Sequence, residues 1–176
     1  GSHHLFPIRS CSLEDGMATA VLQTVRQMAT RFSISPFDED KGTGDLRHIL
    51  VRTGWKTRET MVVLVTAKKD FPHKDDFVSA IHQKNPNVVT VVQVINNEKT
   101  SMVIPKDSEE IILWGKGYIV DNLCGLDFRI SAKSFYQVNP EMAERLYEIA
   151  MNMARLRPTD TVIDAYCGTG TIGLVA

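Results

Sequence analysis

Apolar residues recur at two periods along this chain, and the change of period predicts where helices and strands alternate. The first helix is predicted from an apolar side chain at every third or fourth position over about 18 residues. These positions are Leu13, Met17, Val21, Val25, Met28 and Phe32. Ser12 and Asp15 fit a capping box at the start of this helix, with Ser12 as the N-cap residue.

Two further helices are predicted, at 72–84 and at 140–155, from the same spacing of apolar residues. The apolar face of the second of these consists of Met142, Leu146, Ile149, Ala150 and Met153. Runs of β-branched and aliphatic residues predict three strands, at 46–53, 60–67 and 88–95. Since 61–65 is apolar on both faces, the second strand is predicted to lie in the middle of its sheet.

The order helix, strand, strand, helix, strand resembles a ferredoxin-like layer, so the predicted fold class is α+β. Three shorter strands are predicted near 110–113, 118–121 and 126–130. The predicted central domain spans 5–134, and 135–176 is predicted to begin an open α/β domain with a first strand at 161–163. A doubly wound sheet needs several more strands, so we expect the chain to be a piece of a longer protein. Residues 1–4 look like the remnant of a purification tag.

Composition excludes few classes of function. A formal net charge of -1 over 176 residues argues against a strongly basic nucleic-acid binder, although a local basic patch remains compatible with it. No apolar run approaches the roughly 20 residues of a membrane span and no signal peptide is visible, which predicts a cytoplasmic protein without a membrane partner. Cys11, Cys124 and Cys167 lie far apart, as in a reduced protein, and show no metal-binding spacing. Cys124 and Cys167 are expected to be small buried side chains.

One stretch near the end of the chain carries the candidate chemistry: Asp164-Ala165-Tyr166-Cys167-Gly168-Thr169-Gly170-Thr171. Two glycines between a predicted strand and a predicted helix let the backbone bend tightly and come close to a ligand. Asp164 can hold such a turn by accepting backbone N–H groups. This is the general shape of a nucleotide-type binding turn. Taken alone, the motif fits equally well a glycine turn that joins any strand to any helix.

A second stretch, Ser134-Phe135-Tyr136-Gln137-Val138-Asn139-Pro140, precedes the last long helix. Asn139 is predicted to cap this helix, with proline at the first helical position. The aromatic pair can be explained as core residues. Helix capping does not explain Gln137, whose amide could hydrogen-bond an amino or carboxylate group of a ligand.

Both stretches together resemble the RNA uracil-5 methyltransferase family, whose members methylate uridines of bacterial 23S ribosomal RNA or transfer RNA with S-adenosylmethionine. The residues that carry this resemblance are F-R-I-S-A-K-S-F-Y-Q-V-N-P at 128–140 and D-A-Y-C-G-T-G-T-I-G-L at 164–174. The segment 44–52 is similar to the family's L-R-H-x-x-x-R pattern. The resemblance covers nearly the whole chain, and it implies that 135–176 begins a Rossmann-like class I methyltransferase domain.

The resemblance also implies roles for five residues at the cofactor. Gln137 matches the glutamine that contacts S-adenosylmethionine near the reaction centre, and Tyr166 matches the aromatic position beside it. Gly168 and Gly170 match the loop glycines, and Thr171 matches a polar position that can touch the cofactor. An aromatic face suits a cationic sulfonium group.

The family's catalytic cysteine and glutamate would lie beyond Ala176, so the resemblance assigns no catalytic residue to these 176 residues. We therefore expect the isolated chain to be inactive and the longer parent protein to be the enzyme. The acidic residue expected for the ribose of the cofactor is also missing. Some members hold an iron–sulfur cluster through four cysteines. Only Cys11 could match one of them, so a cluster is expected at most in the parent protein.

The predicted partner is RNA, specifically 23S ribosomal RNA, with transfer RNA as the alternative substrate; no obligate protein partner is evident. Arg47 and Arg52 are the predicted RNA-binding residues, because they lie in the family-like segment. Side chains alternate faces along a strand, so these two arginines can face the same way only across a twist or bulge. Lys56 and Arg58 are equally well explained as solvated surface residues. A rival hypothesis is a non-catalytic RNA-binding or interaction domain of the same ancestry.

Overall fold

The computed structural model describes Ile8 and residues 11–176. The predicted tag remnant and the chain start at 5–7, 9 and 10 lie outside these residues. The elements in chain order are α1 (Gly16–Arg31), β1 (Leu46–Thr53), β2 (Thr60–Thr66), α2 (Lys74–Lys84), β3 (Val88–Ile95), β4 (Glu110–Gly115), β5 (Tyr118–Leu123), β6 (Leu126–Ser131), α3 (Pro140–Ala154) and α4 (Thr171–Val175).

Strands β1 to β4 form one mixed sheet in the order β1-β2-β3-β4. The β1–β2 and β3–β4 pairs are antiparallel, whereas β2 and β3 run parallel and are connected through α2. All residues of β2 are buried, which confirms its predicted central position. The α+β class is confirmed. The ferredoxin-like description is not, because β2 and β3 are adjacent and parallel.

The sheet is covered on both faces. Helices α1 and α2 cover one face, where Val25, Phe77 and Leu64 contribute to one apolar core. The β5–β6 hairpin covers the other, where Ile119 and Ile130 pack against β2 and β3. Burial of both faces explains why β2 and β3 are almost continuously aliphatic.

Helix α1 begins later than predicted. Its N-cap residue is Asp15, whose carboxylate accepts a hydrogen bond from the Met17 N–H at 2.7 Å. Ser12 therefore does not cap the helix, and Leu13 is 95% exposed instead of lying on the apolar face. The correction has a simple cause, since an aspartate directly before the first buried turn is itself a strong cap.

The residues from 140 onward differ from the rest of the chain. Helix α3 forms as predicted, but its buried residues are Ala143 and Tyr147, and the predicted apolar face is largely exposed. Residues 161–163 do not form the predicted strand. A strand requires a hydrogen-bonding neighbour, and within the described residues the two sheets contain only β1 to β6.

Candidate functional site

The segment between β6 and α3 is held by hydrogen bonds at both of its ends. Near its start, the Ser134 hydroxyl group accepts a hydrogen bond from the Ser131 N–H at 3.1 Å. At its end, the Asn139 side chain accepts from the Met142 N–H at 3.1 Å, which confirms Asn139 as the cap of α3. Gln137 lies between these two anchors and is half-exposed.

Tyr136 attaches this segment to the protein interior. Its ring packs against both the core under the hairpin and a small core that includes Tyr147. Its hydroxyl group donates a hydrogen bond to the Asp121 carboxylate at 3.2 Å. Burial raises the pKa of Tyr136, and the negative charge of Asp121 raises it further, so the hydroxyl group keeps its proton at neutral pH.

The glycine turn adopts the backbone conformations that its sequence predicts. Gly168 and Gly170 have φ angles of 54° and 78°, which fall in the left-handed region that favours glycine. The Gly170 N–H donates to the Cys167 carbonyl at 2.7 Å and closes the turn. A Cβ atom on Gly168 would meet no other atom within 4 Å, so the constraint at this position is one of conformation and not of space.

Two hydrogen bonds join the turn to the rest of the candidate site. The Thr169 hydroxyl group donates to the Phe135 carbonyl at 3.2 Å, which links the turn to the Gln137 segment. The hydroxyl groups of Tyr147 and Thr171 lie 2.9 Å apart, which links the turn to α3. The structure therefore brings the two sequence motifs together, although about 25 residues separate them in the chain.

The side chains around this junction are exposed and chemically mixed. Tyr166 is 99% exposed and Phe135 is 70% exposed, and both offer aromatic faces. Within the described residues, the Gln137 amide has no hydrogen-bond partner. Together these groups provide a stacking surface, an amide donor and acceptor, and a glycine turn, a combination suited to an adenosine-like or cationic ligand.

Two details of the turn differ from expectation. The Asp164 carboxylate lies against α4 at Gly173, where an added Cβ atom would be 3.3 Å from it. Among the described residues it accepts none of the backbone N–H bonds predicted for it. Cys167 is exposed and not buried, because no element covers the turn in the described chain, and Cys124 is only half-buried.

Arg47 occupies a closed polar network. Its Nη1 atom donates to the carbonyl groups of Asn96 and Glu98, both at 2.8 Å, and Nη2 donates to the Glu39 carboxylate at 2.9 Å. Its guanidinium group also lies 4.5 Å from the ring centre of Phe37. The side chain is 0% exposed, so direct contact with RNA would require this network to open.

Arg52 lies closer to the candidate site. Its Nη2 atom donates to the Ala132 carbonyl at 3.1 Å, just before the Gln137 segment, while its buried Nε has no partner among the described residues. Burial lowers the pKa of Arg52. Burial also lowers the pKa of His48, and the neighbouring Arg47 charge adds to this effect. The register of β1 shifts between Leu46 and His48, so Arg47 lies at an irregularity of the strand.

The sequence interpretation missed Asp121, Tyr147 and Thr169. A signal for Asp121 was present, because buried positions alternate along β5 and an aspartate occupies an inward one between Ile119 and Leu123. Tyr147 and Thr169 form hydrogen bonds that join separate segments of the site. The periodicity of apolar residues does not predict such contacts.

The described residues contain no group of three or more histidine, cysteine, aspartate or glutamate side chains placed to hold a metal ion. No helix among these residues is long and apolar enough to cross a membrane.

Comparison with known proteins shows that the chain is similar to proteins named as RNA methyltransferases. No protein-family model matches the chain. An uncharacterized RNA methyltransferase of Clostridium tetani is 40% identical over 173 residues, which are 98% of this chain and 37% of the relative. One from Streptococcus pyogenes is 43% identical over the same shares. The chain thus spans little more than a third of the curated relatives it matches.

A solved structure of an RNA methyltransferase is also similar to this chain. The crystal structure of the Pyrococcus abyssi tRNA (uracil-54, C5)-methyltransferase in complex with S-adenosyl-L-homocysteine superposes with a TM-score of 0.79 and 25% identity. The match covers 97% of this chain and 39% of that one. The resemblance to RNA methyltransferases drawn from the sequence is confirmed.

Proposed function

Because the chain is similar to RNA methyltransferases over nearly its whole length, we propose that it is part of an S-adenosylmethionine-dependent RNA methyltransferase that acts on carbon-5 of uracil. The observation that carries the proposal is the hydrogen bond between Thr169 and the Phe135 carbonyl. It holds the glycine turn beside the Gln137 segment, as one cofactor in contact with both would require.

The residues fit the proposed cofactor. Gln137 has an amide without a partner in the described chain, Tyr166 has a freely exposed ring, and Gly168 and Gly170 permit close approach of the backbone. The Thr171 hydroxyl group contacts Tyr147 but retains capacity for a second hydrogen bond. When bound, S-adenosylmethionine supplies an electrophilic methyl group. The residues of this chain would orient that group, and the face of the Tyr166 ring would stabilise the positive charge of the sulfonium.

We propose 23S ribosomal RNA as the substrate, in line with the family resemblance. Transfer RNA is the second candidate, favoured by the similarity to the Pyrococcus abyssi enzyme. The two substrates present different folds around the target uridine. In either case the base must leave its stack to reach a cofactor at this site.

The decisive experiment uses the protein encoded by the complete open reading frame that contains this chain. It is incubated with radiolabelled S-adenosylmethionine and either 23S ribosomal RNA or transfer RNA lacking modifications, and the digested RNA is analysed for 5-methyluridine by mass spectrometry. Incorporation into one RNA identifies the substrate. RNA binding without any incorporation would support the non-catalytic RNA-binding domain instead.

Site variants test the cofactor assignment in the same protein. Gln137→Ala is expected to weaken binding of S-adenosylhomocysteine about tenfold, because a polar contact to the ligand is lost. Gln83→Ala is the matched control, since Gln83 is exposed on α2 and, among the described residues, its side chain hydrogen-bonds only to Ser79. Equal affinity in both variants would contradict the assignment.

The proposed RNA contacts of Arg47 and Arg52 need a test that distinguishes direct contact with RNA from structural support of the protein backbone. Each direct phosphate contact adds about one to the slope with which RNA affinity falls as salt concentration rises, so removing such a contact lowers the slope by about one. Arg52→Ala is expected to lower this slope if its guanidinium group reaches RNA. Weaker binding with an unchanged slope would instead assign Arg52 to support of the Ala132 backbone. Arg47→Ala is measured in the same way.

A further inference from the structure

We propose that Asp121 is a positioning residue for Gln137 and acts through the hydroxyl group of Tyr136. This inference rests on the proposed cofactor contact of Gln137 and extends it from the ligand-facing residues into the β5–β6 hairpin. No part of the sequence resemblance concerned Asp121.

Asp121 is an unusual residue for its location. It is 0% exposed, yet no lysine, arginine or histidine forms a salt bridge with it among the described residues. Its Oδ1 atom accepts the Lys56 N–H at 3.0 Å and the Thr57 N–H at 3.4 Å, and its Oδ2 atom accepts the Tyr136 hydroxyl group at 3.2 Å. Burial of a carboxylate costs free energy unless hydrogen-bond donors surround it. The Lys56 N–H, the Thr57 N–H and the Tyr136 hydroxyl group are these donors for Asp121.

The hydrogen bond from Tyr136 determines where its neighbour Gln137 can lie. A tyrosine ring that is packed on both sides and fixed at its hydroxyl group cannot rotate or slide, and this fixes the backbone from which the next side chain projects. The carbonyl group of the preceding residue, Phe135, accepts from Thr169. The backbone before Gln137 is therefore held from the interior by Asp121 and from the glycine turn by Thr169.

The other oxygen of Asp121 is itself rigidly held. It faces the β1–β2 loop, where a Cβ atom on Gly54 would lie 2.3 Å from the Thr57 hydroxyl oxygen and 3.2 Å from Asp121 Oδ1. Such close packing leaves no room for a side chain at position 54. The same loop contacts α3, because Lys56 forms an ion pair with Glu144. Asp121 thus connects a tightly packed loop to the segment that carries Gln137.

The test compares variants of the complete protein. Tyr136→Phe removes only the hydroxyl group and is expected to weaken S-adenosylhomocysteine binding about threefold, and Asp121→Ala about tenfold. Asp121→Asn is expected to restore most of the affinity, since its amide can donate to the tyrosine oxygen while its carbonyl accepts from the loop. Asp127→Asn is the matched control, because Asp127 lies on the same hairpin and accepts from Asn122 at its exposed end.

Two further readouts separate positioning from general stability. Hydrogen exchange of residues 134–139 is expected to accelerate in Tyr136→Phe but not in Asp127→Asn. In a double-mutant cycle, Tyr136→Phe is expected to have little effect on affinity once Gln137 is alanine, because both changes act on one contact.

The outcomes distinguish this inference from the function on which it rests. Wild-type protein that fails to bind S-adenosylhomocysteine overturns the proposed function and this inference with it. Wild-type protein that binds, with Tyr136→Phe and Asp121→Ala equal to it in affinity and exchange, overturns this inference alone. Additive effects of Tyr136→Phe and Gln137→Ala also overturn it, because Asp121 would then act elsewhere.

Discussion

The central sheet and the region from residue 140 onward use apolar residues in opposite ways. Every residue of β2 is buried between the helices and the hairpin. On α3 the apolar face remains exposed, with fractions from 51% to 78% at Met142, Leu146, Ile149 and Met153. The periodic pattern is clear in both regions. A hydrophobic pattern therefore specifies an element and its apolar face, whereas burial depends on whether another element covers that face.

Polar groups show the same contrast. In the sheet region, the side chains of Arg47 and Asp121 are buried and form hydrogen bonds with partners from distant parts of the chain. From residue 140 onward, several polar contacts are local, such as the ion pair between Arg145 and Glu141 on one helix. The hydrogen bond between Tyr147 and Thr171 is a longer connection in this region. We expect substitutions in the two regions to differ accordingly.

The largest expected difference comes from the same substitution made in each region. Leu64→Ala in β2 is expected to lower the free energy of unfolding by about 3 kcal/mol, because it leaves a cavity in a closed core. Leu146→Ala on α3 is expected to change it by less than about 0.5 kcal/mol, since that side chain is 60% exposed. Urea unfolding followed by circular dichroism measures both. Similar losses would show that the α3 face is covered in solution.

Arginine substitutions sharpen the comparison for polar residues. Arg47→Ala is expected to cost about 2 kcal/mol, because it leaves the Asn96 and Glu98 carbonyl groups without their charged donor. Arg145→Ala removes an exposed pair with Glu141, and its expected cost is about 0.3 kcal/mol. Urea unfolding of the two variants measures both costs. A cost for Arg47→Ala as small as that of its control would mean that water replaces the guanidinium group.

Much of the fold could be predicted from the sequence because local patterns determine local structure. The bounds of β1 and β3 and the central position of β2 follow from β-branched runs and from apolar residues on both faces. The start of α1 was wrong because Ser12 and Asp15 are both good caps, and only packing of the first turn selects between them. The strand predicted at 161–163 failed for a different reason, since strands depend on neighbours that a local pattern does not contain.

The candidate site was predictable in its parts but not in its connections. Motif spacing identified Gln137 and the glycines, and the structure places both motifs side by side through Thr169. Their contact with a cofactor stays a prediction. The burial of Arg47 and the role of Asp121 depend on partners far away in the sequence, such as Asn96 and Tyr136. Neither the periodicity of apolar residues nor the spacing of motifs predicts such hydrogen-bond pairs.

Tyr147→Phe tests the connection that joins α3 to the glycine turn. Loss of the hydrogen bond to Thr171 is expected to lower the free energy of unfolding by about 1 kcal/mol, because Tyr147 is nearly buried. Tyr166→Phe makes the same chemical change at a side chain that is 99% exposed and is expected to have no measurable effect. Thermal unfolding of both variants provides the measurement. If Tyr147→Phe were as stable as Tyr166→Phe, the turn would not be anchored to α3 in solution.

The smallest expected effect lies where the two regions meet, at Glu144 of α3. Its carboxylate accepts from Lys56 and from the Cys124 N–H, and these bonds hold its pKa below the ordinary value of 4.5. A lowered pKa in the folded state means stabilisation that is complete above the ordinary value and is lost as the pH falls through the folded-state value.

The contribution of the Glu144 carboxylate to stability should resemble that of other exposed ion pairs, about 0.2–1 kcal/mol. Melting temperatures of wild type and Glu144→Gln should therefore differ near neutral pH and converge in acid. A difference in melting temperature that stays the same at every pH would mean that the packing of Glu144, and not its charge, stabilises the contact between the two regions.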